Sequence, residues 1–244
     1  MKSHNLFIQK PITDILRDAV TASAGIGNGI ETFPLCDYIM QSVFLKMTGF
    51  QEQKMKCICW ELATNDYDYR RVLLSNEDRL GECSSYPDKN NIYKRLVEQI
   101  RIYDSDFNAI TIEKKRIRRE TISNIKKIFS NTNLLIWGQE EFIEFVNIWR
   151  DVKGACFANE NNSLFTEVTN GISLKYVYVN HLYKHRNRIA HNTYSYQQNL
   201  PTLKTLANEN YKYENYFLWF AILVLIDEIF IELYAKYLKV LEDY

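Results

Sequence analysis

Glycine and proline are scarce in this chain, 8 and 4 among 244 residues. Folds made of many short strands need both at frequent tight turns, so the shortage argues against an all-β architecture. Net charge is lacking too. Thirty Lys and Arg balance thirty Asp and Glu. No global field therefore argues for nucleic acid or membrane, and any such case must be local. Long apolar runs are missing as well. The greasiest stretch, "YFLWFAILVLI" at 216–226, has eleven residues, and Asp227 and Glu228 follow at once. A bilayer span needs about 20 apolar residues, so this stretch reads as a core or interface helix, and no membrane association is expected. Residues 1–20 carry Lys2, Lys10, Asp14, Arg17 and Asp18 without the apolar stretch of a secretory signal.

The five cysteines (Cys36, Cys57, Cys59, Cys83 and Cys156) are odd in number and irregular in spacing. They predict free thiols in a cytoplasmic protein. A structural zinc site wants two close pairs of ligands, and Cys57-x-Cys59 has no second pair. No HExxH, GxSxG or Walker pattern occurs. "AGIGNGIE" at 24–31 lacks the GxGxxG spacing and any following Lys-Ser/Thr, so it reads as a loop. No metal and no cofactor is expected.

What is present is helical. Hydrophobic residues make up 46% of the chain and aromatics 14%, ample for one buried core. The pattern predicts a single all-α domain over 1–244, a helical bundle. Residues 1–33 are expected to be irregular, with one short helix near 10–20. Helices are expected over 35–49, 53–74, 91–103, 108–130, 139–158, 172–192 and 209–241, with connectors at 75–90 and 159–170. The last helix is apolar on more than one face, as helices buried among several neighbours or against a second subunit are. The window "EKKRIRRETISNIKK", 113–127, holds seven Lys or Arg. Such a face could track a phosphate backbone or simply be solvated.

Titratable groups concentrate in "YKHRNRIAHNTY", 183–194. Three of the four histidines, His181, His185 and His191, fall within eleven residues. At 100° per residue the expected apolar stripe is Ile172, Tyr176, Val179, Leu182, Tyr183 and Ile189. Arg186 falls on that stripe and needs an anionic partner, because an unpaired buried guanidinium is very costly. Either a carboxylate or a phosphate would serve. His191 sits where the helix should end, with an unperturbed pKa of about 6.5 that suits proton transfer.

"RNRIAH", 186–191, before a long terminal helix in an all-helical chain, resembles the signature of the HEPN superfamily (higher eukaryotes and prokaryotes nucleotide-binding domains). That signature is Arg, four to six residues, then His, often with a polar residue directly after the Arg. Arg186, Asn187 and His191 match those places, and the motif-bearing part is 172–241. The resemblance implies a metal-independent endoribonuclease of toxin–antitoxin or antiphage-defence type. It acts as a homodimer with both motifs in one cleft, and an antitoxin or sensor partner would keep it silent. His191 is then the expected proton-transfer residue, and Arg186 stabilises charge on the phosphate. Asn187 orients the imidazole or contacts RNA, and Lys184 and His185 contact the RNA backbone. His181 is expected to be a packing or solvent residue. An acidic residue from an earlier helix often supports the arginine in this superfamily, and Glu31, Asp37, Glu61 and Asp66 are the candidates. The alternatives are a non-catalytic helical dimer or adaptor, and a nucleotide-binding regulator.

Overall fold

The computed structural model describes residues 2–27, 29–75, 83–159, 163–167, 171–190 and 209–243. Among these the architecture is all-α, with no strand and one isolated antiparallel bridge, Phe157 to Phe165. The described residues include no helix long and apolar enough to cross a membrane.

The N-terminal segment holds the short helix expected near 10–20, α2 (Thr13–Ala22), and one more than expected, α1 (Lys2–Gln9); with Ile12 between them they bury Ile8, Ile15, Leu16 and Val20, and 23–27 carries no helix. Pro11 separates the two helices, because proline cannot continue the hydrogen-bond ladder. Side chains from distant helices satisfy the freed backbone groups. Lys54 Nζ donates to the Lys10 carbonyl at 2.7 Å, and Ile12 N–H donates to Asp227 Oδ2 at 2.9 Å. Lys54 and Asp227 pair with each other at 2.5 Å, fully buried. One ion pair thus fastens the α1–α2 break to two other helices.

The two helices expected over 35–49 and 53–74 are drawn differently. A single 33-residue helix, α3 (Phe33–Asn65), runs straight through Gly49. Glycine costs a helix roughly 1 kcal/mol relative to alanine, too little to break one that packs along its length. The break comes at Asp66, whose carboxylate accepts from Tyr69 N–H at 3.0 Å and caps α4 (Tyr67–Leu74). The expected connector 75–90 is also shorter than read. Helix α5 (Tyr86–Tyr103) begins inside it, where the Ser85 hydroxyl accepts from Asp88 N–H and Pro87 occupies the first turn. The expected helix 108–130 becomes a 3₁₀ turn (Ala109–Thr111) and α6 (Lys114–Phe129). After α7 (Asn133–Trp137), α8 (Gln139–Asp151) stops short of 158. Arg118 Nη2 donates to the carbonyls of Trp149 and Arg150 there, taking up last-turn acceptors.

The chain then forms α9 (Leu174–Val177), a π turn (Tyr178–Leu182) and α10 (Tyr183–Ala190). It closes with α11 (Tyr216–Glu242), which starts later than 209 and is capped by Asn215. Residues 209–213 form a 3₁₀ turn instead. Every residue from Phe217 to Ile226 is buried, and α11 is surrounded by α1, α3, α5, α6 and α8. The apolar run is thus packed against helices of its own chain.

Candidate functional site

Ser173 opens the motif segment by accepting Tyr176 N–H on its hydroxyl at 3.2 Å. The inward face that follows is Leu174, Val177, Tyr178, His181, Leu182 and His185. It differs from the expected stripe: Tyr176 is exposed, and Val179, Tyr183 and Ile189 are half-buried. Spacings of three and four run through it unbroken once the histidines count as core. Arg186 stands at the edge of this face. The residues that break the binary pattern are His181 and His185.

Each histidine is accommodated by a partner from the segment entering α11. His181 Nδ1 lies 2.7 Å from Glu214 Oε1, and its ring stands edge-on to Tyr176 and Tyr213. Glu214 stays below the usual carboxylate range despite burial, because His181 bonds it and Arg188 lies 3.7 Å away. His185 Nε2 lies 2.7 Å from the Tyr216 hydroxyl, and its ring packs on Trp219 at 4.5 Å and on Phe44. Burial, helped by the charge of Arg188, pushes this imidazole down to about 4. His185 is therefore neutral and internal, which corrects the expectation that it contacts an RNA backbone.

Arg186 meets a carboxylate, though none of the four considered. Its Nη2 donates to Glu52 Oε1 at 2.7 Å, and its Nη1 donates to Asn187 Oδ1 at 3.0 Å. Both side chains of the ion pair are largely but not fully buried, 14% and 12% exposed. Gln51, Ser84, Lys89 and Tyr178 are among the residues around the pair, and the gap between them admits no water molecule. Lys89 is buried and donates to the Cys83 carbonyl at 3.0 Å. Burial lowers its ammonium to about 8, against the opposing pull of Glu52. The Tyr178 hydroxyl donates to Ser84 O at 2.7 Å, and burial pushes its phenol up. The lining thus sets two cations against one carboxylate.

Asn187 is half-buried beside Arg186. Lys184 is exposed and bonded to Asn180 Oδ1 at 3.2 Å. His191 lies outside the described residues, directly after the end of α10. Glu52 and Lys89 were missed because each fell in a stretch read as a gap, 50–52 and 75–90. Glu52 adjoins Gln51, itself buried on the Met47–Met55–Ile58 face of α3. Polar residues inside an apolar period were the available signal.

On α6, Arg116 is held by Glu113, Glu120 and Glu232, while Lys115, Arg119, Lys126 and Lys127 are exposed. None of the five cysteines is in a disulfide; four are buried and Cys57 is half-buried. Among the described residues no group of three or more His, Cys, Asp or Glu is placed to hold a metal ion. Comparison with family models, curated proteins and solved structures returns no match.

Proposed function

We propose that the chain is a metal-independent endoribonuclease, working in a toxin–antitoxin or antiphage-defence setting, whose motif is Arg186, Asn187 and His191. The observation that carries this reading is the double anchoring of Arg186. Glu52 from an earlier helix and Asn187 from the next position hold its two terminal nitrogens. The Glu52 contact fits the acidic support from an earlier helix expected around the HEPN arginine, and together with Asn187 it fixes the guanidinium before any substrate arrives. The π turn one helical turn upstream adds support, since such turns are frequent at functional sites.

In this mechanism RNA brings its own nucleophile. The 2′-oxygen attacks the adjacent phosphorus as His191 takes its proton. The bond to the 5′-oxygen breaks, and that oxygen leaves with a proton from the second His191 of a dimer. The products are a 2′,3′-cyclic phosphate and a 5′-hydroxyl. Proton transfer of this kind is worth ~10²–10⁴-fold. Arg186, with the Lys89 charge behind it, stabilises the pentacoordinate phosphate. The two copies pair through a surface other than residues 217–226, which are buried within the subunit.

A second reading, a non-catalytic helical scaffold, draws on the same ion pair. Glu52 already satisfies Arg186, and no water fits beside it. Cleavage separates the two. Purified chain incubated with mixed RNA is expected to yield cyclic-phosphate ends, and His191→Ala is expected to abolish them with an unchanged circular dichroism spectrum. Absence of cleavage by both proteins supports the scaffold.

A further inference from the structure

A cavity of about 240 Å³ lies between the start of α3, the α7–α8 junction and the segment leading into α11. Sites for drug-sized ligands occupy about 300–1,000 Å³, so this one suits a single small group and is too small for a nucleotide. Its lining joins aromatic and aliphatic side chains, Trp137 and Tyr211 among them, to three acids, Asp37, Glu141 and Glu214, with no Lys, Arg or His among the lining residues. Phe33 stands edge-on to Trp137 at 5.7 Å, and the indole N–H donates to the Thr32 hydroxyl at 3.2 Å, which fixes the ring. Among the described residues the cations found over rings lie on Phe50, Tyr67, Tyr86, Phe107 and Tyr213, all outside this cavity.

The acids are unequally neutralised. Glu214 is engaged by His181 and Arg188. Asp37, exposed at the cavity, accepts from the uncharged amide of Gln41 at 2.8 Å and makes no ion pair among the described residues; partial desolvation pushes its carboxyl up. Glu141 makes no ion pair among the described residues. Burial, and after it the charges of Glu214 and Glu141, push the Tyr211 phenol up. Carboxylates without a cationic partner beside aromatic rings favour an organic cation, which gains from both.

We propose that this cavity binds a guanidinium or primary ammonium group on a short alkyl chain. Two sources supply that chemistry, a free small amine or the Arg or Lys side chain of a protein partner. The site stands apart from the nuclease reading. Its occupant would nevertheless touch Glu214 and Tyr216, the residues that hold His181 and His185 of the motif segment.

The test is a tryptophan-fluorescence titration of the full chain, with agmatine in one arm and an acetylated Gly-Arg-Gly peptide amide in the other. Saturable binding is expected in at least one arm. Agmatine binding identifies the free amine as sufficient; binding of the peptide alone identifies a partner's side chain. Asp37→Asn with Glu141→Gln is expected to weaken binding at least tenfold, and Trp137→Phe to remove the signal. Should the double variant fail to fold, Glu141→Gln alone, an exposed position, is expected to weaken binding at least threefold. The proposal is overturned if neither probe saturates, if uncharged N-butylurea binds as well as agmatine, or if the folded carboxylate variants bind like wild type.

Discussion

Glu52 and Arg186 stand 134 positions apart in the sequence and 2.7 Å apart in space. The contact joins the middle of the longest helix to the motif helix. Removing either partner strands a largely buried charge. A double-mutant cycle with Glu52→Gln and Arg186→Met, followed by urea unfolding, is expected to give a coupling of about 1–3 kcal/mol. A coupling near zero would mean that the pair does not hold the two helices together. Under the nuclease reading Glu52→Gln also lowers cleavage, because the guanidinium loses its fixed orientation.

His185 makes acid sensitivity a sharp prediction. The folded chain resists protonating this imidazole until about pH 4, while the unfolded chain takes up the proton near pH 6.5. Its contribution to stability is therefore complete above pH 6.5 and is lost as pH falls toward 4. The loss is on the order of 3 kcal/mol over that window. Unfolding free energies of wild type and His185→Phe across pH 4–7 check this. The variant's profile should be flatter, and an equal slope in both proteins counts against the assignment.

Breaking the Lys54–Asp227 pair should destabilise more than any surface substitution. Asp227→Ala leaves a buried ammonium unpaired and frees Ile12 N–H. The expected cost is about 3–5 kcal/mol. Amide exchange should show α1 and α2 losing protection first, since the pair fastens their junction.

Two glycines should respond to alanine in opposite directions. A Cβ at Gly138 would meet the Phe217 ring at 2.8 Å, and Phe217 is locked against Phe129 and Phe142. Gly138→Ala is expected to cost about 1–3 kcal/mol through overpacking. Gly49 has nothing within 4 Å of a new Cβ and sits inside α3. Gly49→Ala should stabilise by roughly 0.5–1 kcal/mol. Melting temperatures of the two variants decide it.

Cleavage, if the proposed chemistry holds, should survive excess EDTA, because the 2′-hydroxyl and two imidazoles complete the reaction without a cation. Activity lost on chelation and restored only by Mg²⁺ or Mn²⁺ would place the reaction in another class.

The sequence by itself determined the all-α class, the apolar terminal helix and the need of Arg186 for an anionic partner. Those follow from local quantities: helix period, glycine and proline content, and the cost of burying a guanidinium. Tertiary structure decided the rest. It carried α3 through Gly49, since packing outweighs a local propensity of about 1 kcal/mol. It turned His181 and His185 inward by supplying Glu214 and Tyr216 from the approach to α11. It chose Glu52 as the partner of Arg186, and it enclosed residues 217–226 within one subunit. None of these could be read locally, because the free energy of a buried polar group depends on which distant side chain the fold sets against it.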